Sequence, residues 1–308
     1  MFKRKGFYSL ILMIFIILMY LFVKENPLQL SKLEIVDYPQ LELPQKSEIN
    51  LDVNLHSSNA ILVNLDTNKI LLDKGSDEII YPASLTKIMT VLVAIENIPN
   101  IQDKILLPKS IFKDLYEENA SMAGFLPNEE VTAEDLLYGS MLPSGADASI
   151  GLADYIAGSE RKFVKLMNEK AKQLGMKNTH FKNATGLHHS EHYTSVKDIS
   201  ILLQYALTNN TFRDIYSAER YSIKSTNLHP EGMTLTSRMF NNLYTNENTR
   251  GEIIGGKTGY TEQAGLCLAS LATINGEEYI LVTVGAKGDS RTEQFNITDA
   301  LAVYRQLF

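Results

Sequence analysis

A serine and a lysine three residues apart form the first feature of this sequence that could do chemistry. Ser84 and Lys87 begin a helical pattern, and residues with this spacing share one face of a helix. A lysine amine whose pKa is lowered by desolvation can accept a serine proton, and backbone N–H groups at a helix start can stabilise an oxyanion. The pair predicts a nucleophilic serine with a lysine base, although the same spacing also occurs on solvated helix faces.

Two short segments further along the chain could complete such a site. Lys257-Thr258-Gly259 precedes an apolar strand. Thr258 offers a hydroxyl for a carboxylate, Lys257 adds positive charge, and Gly259 allows a close approach of a substrate backbone. Ser144 stands in a turn before a helical segment. Taken singly, the first segment could be a turn entering a strand and the second a helix cap.

In this order the three elements resemble the S-x-x-K, S-x-N and K-T-G signatures of penicillin-recognising serine enzymes. The surrounding sequence is similar to the D-alanyl-D-alanine carboxypeptidases among the low-molecular-mass penicillin-binding proteins. The similarity covers roughly residue 60 to the C-terminus. It lies in the stretches YPASLTKIMT, LLYGSMLPSGADAS, HFKNATGLHHSEHYTSVKDIS and GGKTGYTEQAG.

The resemblance implies a serine D,D-carboxypeptidase that removes the terminal D-Ala of a peptidoglycan stem peptide through an acyl-enzyme. It also implies covalent inhibition by β-lactams and no metal or organic cofactor. The roles it assigns are nucleophile for Ser84, base for Lys87 and proton relay for Ser144, with part of the oxyanion hole formed by the Ser84 N–H. The substrate carboxylate is expected at Lys257, Thr258 and Gly259.

One position departs from the family pattern, because Ala146 stands where the middle element usually has asparagine. Asp147 does not obviously replace that amide. Other functions therefore remain open: a β-lactamase or esterase of the same superfamily, or a non-catalytic receptor for β-lactams or muropeptides. If the protein is a carboxypeptidase, an accessory role in glycopeptide resistance is a further alternative.

Composition excludes several other classes of protein. Lys and Arg total 29 against 36 Asp and Glu, and a net charge of −7 disfavours a nucleic-acid partner. Cys267 is the sole cysteine, so the chain has no internal disulfide or multi-thiolate zinc site, and this residue is predicted in the core. His188, His189 and His192 are predicted as polar loop residues instead of metal ligands, and Arg291 as a solvated side chain.

The N-terminus predicts a single membrane span. Residues 6–23 are uncharged and almost all bulky and apolar, and three basic residues precede them. No small-residue cleavage site follows, which favours an uncleaved anchor over a signal peptide. We therefore expect residues 1–24 to be a cytoplasmic cluster and anchor, residues 25–50 a stalk, and residues 51–308 an extracytoplasmic peptidase domain at the cell membrane.

The elements that must position these residues predict an α/β (α+β) fold. Residues 60–65 and 69–72 read as a hairpin, and residues 266–274 and 278–284 as a second one across the turn Asn275-Gly276. Helical spacing follows Ser84 and occupies most of residues 133–175, residues 198–207 and residues 292–308. We expect an antiparallel sheet built from both ends of the domain, with a helical region inserted between them.

Overall fold

The computed structural model describes residues 43–47, 51–243, 253–289 and 291–308. The predicted membrane anchor lies outside these residues. Within them, no helix combines the length and the apolar character needed to cross a bilayer.

A six-stranded sheet forms the centre of the described domain, and its strand order is β1-β3-β2-β10-β9-β8. The strands are β1 (Gln45–Lys46), β2 (Asn59–Asn64), β3 (Lys69–Lys74), β8 (Ile253–Thr261), β9 (Gly265–Ile274) and β10 (Glu277–Ala286). The predicted sheet from both ends of the domain is therefore confirmed. It differs in one respect, since β1 pairs with β3 in parallel, whereas the other neighbours are antiparallel. This short strand lies within the segment predicted as a stalk.

Both predicted hairpins are present. Asn275 and Gly276 connect β9 and β10 with φ angles of 54° and 86°, the left-handed conformations that a tight hairpin turn requires. β9 and β10 are buried along nearly their whole length because helices pack against the sheet. Cys267 lies in β9 and is fully buried, as predicted.

Helices fill the region between β3 and β8 and close the chain after β10. Their bounds are α1 (Thr86–Asn97), α2 (Ser110–Glu117), α3 (Ala133–Met141), α4 (Ala146–Ala157), α5 (Glu160–Gln173), α6 (Val196–Ala206), α7 (Asn210–Ser217), α8 (Arg238–Leu243) and α9 (Phe295–Tyr304). Two small sheets accompany them, β4 (Lys104–Leu106) with β5 (Glu130–Thr132) and β6 (Arg220–Ile223) with β7 (Met233–Thr236). The predicted inserted helical region is therefore confirmed.

Helix α1 lies at the centre of that region. Its residues from Thr86 to Ala94 are all buried, and it packs against α3, α4, α5 and α6. A helix enclosed on all sides holds its first turn rigidly, and the candidate nucleophile lies immediately before that turn. The surroundings of α1 therefore fix the position of the candidate site.

Two details of the sequence interpretation were wrong. The last helix begins at Phe295 instead of near residue 292, because Asp289 and Thr292 form a hydrogen-bonded turn in front of it. Apolar spacing in residues 133–175 also predicts core positions at Ile150, Ile156 and Leu166, but these three side chains are only half-buried.

Candidate active site

Ser84 lies in a single 3-10 turn, Ala83–Leu85, that leads directly into α1. Pro82 precedes this turn, and Ala83 has a φ of 46°, a left-handed conformation that non-glycine residues rarely adopt. Lys87 follows on the first turn of α1, and its Nζ lies 3.3 Å from the Ser84 Oγ. The predicted contact between these side chains is thus present, in a 3-10 turn followed by an α-helix.

The Lys87 amine is enclosed by protein. The side chain is 2% exposed, and its Nζ also donates a hydrogen bond to the Thr185 carbonyl. Burial, assisted by the positive charge of Arg238 and opposed by Asp147, lowers the pKa of Lys87 to about 7. A large fraction of this amine is therefore neutral at neutral pH and able to accept a proton.

Strand β8 brings Lys257, Thr258 and Gly259 to the nucleophile turn. A Cβ at Gly259 would lie 3.1 Å from the Ser84 backbone nitrogen, so a larger residue would push the strand away from the serine. The Lys257 amine is buried and donates to the Thr258 carbonyl over 3.0 Å. Burial and the nearby charges of Lys87 and Arg238 hold the pKa of Lys257 well below its usual value.

Ser144 reaches the same place from the turn between α3 and α4. It has a φ of 68°, and its buried Oγ has no hydrogen-bond partner among the described residues. Burying a hydroxyl without a hydrogen-bond partner costs free energy of folding, unless a ligand or a water molecule forms the missing hydrogen bond. Ser144, Ser84 and Thr258 line one cavity of about 520 Å³. All three sequence elements therefore meet there.

Ala146 is the first residue of α4, and its methyl group borders a small cavity of about 80 Å³ beside Ser84 and Lys87. Asp147 does not take the place of the absent amide. Its carboxylate accepts hydrogen bonds from three backbone N–H groups of the 123–125 segment. Burial raises the pKa of this carboxyl, and those N–H groups oppose the rise. Asp147 thus anchors a neighbouring segment.

The residues of the cavity that sequence reasoning missed include Arg238, Asn119 and Ser121. Arg238 begins α8, and Asn119 and Ser121 follow α2. Arg238 lines the same cavity as Thr258, and its guanidinium suits a carboxylate ligand. No signature in the sequence distinguishes these residues, because only the folded chain brings α2 and α8 to the serine.

The remaining residues that the sequence singled out lie elsewhere. His188 and His189 border a neighbouring cavity of about 690 Å³, and Arg291 is an exposed side chain paired with Asp289. No group of potential metal ligands occurs within the described ranges. His192 does not fit the expectation of a polar loop residue, because it is 2% exposed and bonded within the protein.

Shared lining residues link the three cavities, which we refer to together as the groove. The small cavity shares Ser84 and Tyr260 with the one of about 520 Å³, which contains Thr258. It shares Thr185, Leu187 and Thr261 with the one of about 690 Å³. Strand β8 is an edge strand of the described sheet, so its outer side is available to an extended peptide.

A sheet built from both ends of a domain, with its serine–lysine pair where the inserted helices meet that sheet, is the architecture of the penicillin-binding-protein and β-lactamase class. These enzymes are serine hydrolases. The chain belongs to the D-alanyl-D-alanine carboxypeptidase family, whose model matches residues 45–288.

Individual relatives agree with this assignment. The chain is 37% identical over 234 residues to the D-alanyl-D-alanine carboxypeptidase DacF of Bacillus subtilis, covering 75% of this chain and 57% of that protein. It is 32% identical to a D-alanyl-D-alanine carboxypeptidase of Streptomyces, covering 71% of this chain and 77% of the relative. A solved Streptomyces DD-transpeptidase aligns with a TM-score of 0.75 and 27% identity, over 83% of this chain and 98% of that one.

Proposed function

We propose that this protein is a serine D,D-carboxypeptidase that removes the terminal D-Ala from a peptidoglycan stem peptide through an acyl-enzyme on Ser84. The observation that carries the proposal is the buried Lys87 amine, 3.3 Å from the Ser84 Oγ and with a pKa of about 7. A base whose pKa is near the working pH is largely in its unprotonated form and is still basic enough to accept the serine proton.

In the acylation step, the Ser84 Oγ attacks the carbonyl carbon of the penultimate D-Ala while Lys87 accepts the serine proton. The Ser84 N–H contributes to the hole that binds the developing oxyanion. When the peptide bond breaks, the leaving amine needs a proton. Ser144, with its unpartnered Oγ on the same cavity, transfers one from Lys87 to that nitrogen.

The free carboxylate of the substrate binds at the cationic end of the groove. Thr258 donates its hydroxyl and Arg238 supplies positive charge, while the buried Lys257 amine holds the Thr258 carbonyl. The rest of the peptide follows the edge of β8 towards Thr261 and the cavity of about 690 Å³. Water then hydrolyses the ester and regenerates Ser84. β-Lactams acylate the same serine and thereby inhibit the enzyme.

Release of D-Ala from a cell-wall pentapeptide by the purified full-length chain in detergent tests this proposal. Release of D-Ala at a rate that rises with the peptide concentration and then saturates supports a carboxypeptidase. Covalent labelling by penicillin without release would favour the receptor alternative, and rapid turnover of penicillin would favour a β-lactamase. A role in glycopeptide resistance would rest on the same reaction, since it removes the D-Ala-D-Ala end.

Arg238→Ala should weaken the use of peptides that end in a free carboxylate. A charge-assisted hydrogen bond is worth about 1.5 to 3 kcal/mol, so we expect kcat/KM to fall by about 10-fold to 100-fold. Arg291→Ala is the matched control, because that arginine is exposed and paired with Asp289. Equal losses in the two variants, or no loss in Arg238→Ala, would contradict the assignment.

Ala146→Asn should speed acylation by restoring an amide next to Lys87. The side chain would enter the cavity of about 80 Å³, and a net hydrogen bond of about 1 kcal/mol corresponds to roughly a fivefold higher rate. Ala146→Leu is the control, since it adds similar bulk without an amide. Stopped-flow measurement of the acylation rate with one penicillin compares the three proteins. An acylation rate of Ala146→Asn that equals or falls below that of the unchanged protein would refute the prediction.

We also propose that the N-terminal segment anchors the protein to the cell membrane with the catalytic domain outside. The support is the apolar stretch of residues 6–23 behind three basic residues. Membrane fractions should contain the chain with its own N-terminus, and deletion of residues 6–23 should release it from the membrane. Mass spectrometry that finds the mature chain starting at Glu25 or later would disprove an uncleaved anchor.

A further inference from the structure

The residue before the candidate nucleophile has a backbone conformation that its surroundings must maintain. Ala83 has a φ of 46°, and alanine gains nothing locally from this left-handed conformation. Such residues persist where neighbouring groups hold them, and they are frequent at active sites. The contacts that hold the Ala83 peptide therefore also set the orientation of Ser84, which follows it directly.

Thr86 supplies one of these contacts from the first turn of α1. Its Oγ1 donates to the Ala83 carbonyl over 2.8 Å and also lies 2.8 Å from the His192 Nε2. Thr86 is fully buried, so its hydroxyl cannot exchange these partners for water. The hydroxyl therefore connects His192 to the nucleophile turn.

The direction of each hydrogen bond follows from the backbone around His192. Its Nδ1 accepts the Lys182 N–H over 3.2 Å, so the ring proton of the neutral imidazole is on Nε2. Nε2–H then donates to the Thr86 Oγ1, which leaves the hydroxyl proton for the Ala83 carbonyl. Burial, with His180 and Lys87 among the charges that assist it, lowers the pKa of His192 to about 3, which keeps the ring neutral.

The loop that carries His192 also contacts Ala83 directly. Gly186 has a φ of 81°, and a Cβ at this position would overlap the Ala83 carbonyl oxygen. The loop thus packs against the Ala83 carbonyl at Gly186 and reaches the same oxygen through Thr86. His192 is not among the residues that line the cavity in which Ser144 and Thr258 lie.

We infer that His192 is a positioning residue for acylation: through Thr86 it holds the Ala83 carbonyl, and so keeps the Ser84 turn in the orientation that places its Oγ beside Lys87. This inference rests on the proposed acylation of Ser84. Replacement of the imidazole should slow acylation of Ser84 and leave the affinity for penicillin unchanged. The groups proposed to bind the carboxylate, Thr258 and Arg238, take no part in the connection from His192 through Thr86 to Ala83.

A double-mutant cycle tests the inference on the full-length chain, with acylation by a fluorescent penicillin followed as a function of its concentration. His192→Ala should lower the rate constant at saturation by about tenfold, as misplacement of a reacting group does, with the dissociation constant within about twofold. Thr86→Val should have a similar effect. The double variant should be no slower than Thr86→Val alone, because the hydrogen-bonded connection from His192 through Thr86 to Ala83 is already broken in Thr86→Val.

Conservative and control variants separate positioning from general stability. His192→Gln should recover most of the rate, since its amide N–H can replace the imidazole Nε2–H. His192→Asn should not recover the rate, because its side chain is one carbon shorter than that of glutamine and its amide N–H would not reach the Thr86 Oγ1. His180→Ala changes another histidine of the same loop, bonded to the Glu191 carbonyl, and should acylate at the normal rate. Thermal unfolding of each variant shows whether it is folded.

The possible failures are distinguishable. If the unmodified protein is not labelled by penicillin, the proposed function is wrong. If it is labelled, but His192→Ala and Thr86→Val react at the normal rate, the positioning role is wrong. Effects of His192→Ala and Thr86→Val that multiply in the double variant would also overturn it, since they would show that the two residues act independently.

Discussion

Ser84→Ala is expected to abolish the covalent adduct with penicillin and to reduce D-Ala release by on the order of 10⁴-fold or more. A methyl group cannot attack a carbonyl carbon, and Lys87 is enclosed so that its amine faces Ser84 and Thr185. The structural cost should be small, because the half-buried Ser84 side chain has one hydrogen bond within the part of the chain that the structure describes, to Lys87. Mass spectrometry of the protein after incubation with penicillin measures the adduct.

Ser222→Ala is a suitable control for this variant, because Ser222 is an exposed residue of β6. It should retain both the adduct and the activity. An adduct that survives in Ser84→Ala, or that maps by peptide analysis to another residue, would show that Ser84 is not the nucleophile.

Lys87→Ala is expected to lower the acylation rate by about 10³-fold, within the 10² to 10⁴ range of general base catalysis. Without the amine, the Ser84 hydroxyl loses its hydrogen-bond partner among the described residues. Lys87→Met is the companion variant, because it preserves most of the buried shape and removes only the charge and the base. A rate above about a tenth of normal in both variants would contradict the assignment.

The pH dependence of acylation provides a separate check on the same residue. Lys87 acts as a base in its neutral form, and burial lowers its pKa to about 7. The acylation rate should therefore rise about tenfold per pH unit below this value and level off above it. A rate that is flat or falls between pH 5 and pH 8 would exclude Lys87 as the base.

Much of the fold could be predicted from local sequence signals. The Asn275-Gly276 turn fixed one hairpin, and apolar spacing after Ser84 identified α1, because both depend on residues adjacent in the chain. The start of α9 and the parallel strand β1 could not be predicted in this way. Asp289 and Thr292 delay the helix through a turn, and β1 exists only because β3 presents an edge to it.

The sequence by itself determined which residues could do chemistry at this site. Ser84 and Lys87 are coupled by helical spacing, and Lys257, Thr258 and Gly259 occupy consecutive positions of one strand. Residue types and the short spacings between them are local properties of the chain, so they can be recognised without any knowledge of the fold.

Only the tertiary structure decided what surrounds those residues. The pKa of Lys87 depends on burial by several helices, and Arg238 reaches the cavity from α8, which follows Lys87 by about 150 positions. His192 is buried and neutral although its sequence neighbours are polar. Desolvation and contacts between distant segments depend on how the whole chain packs, and a local pattern of residues does not contain that information.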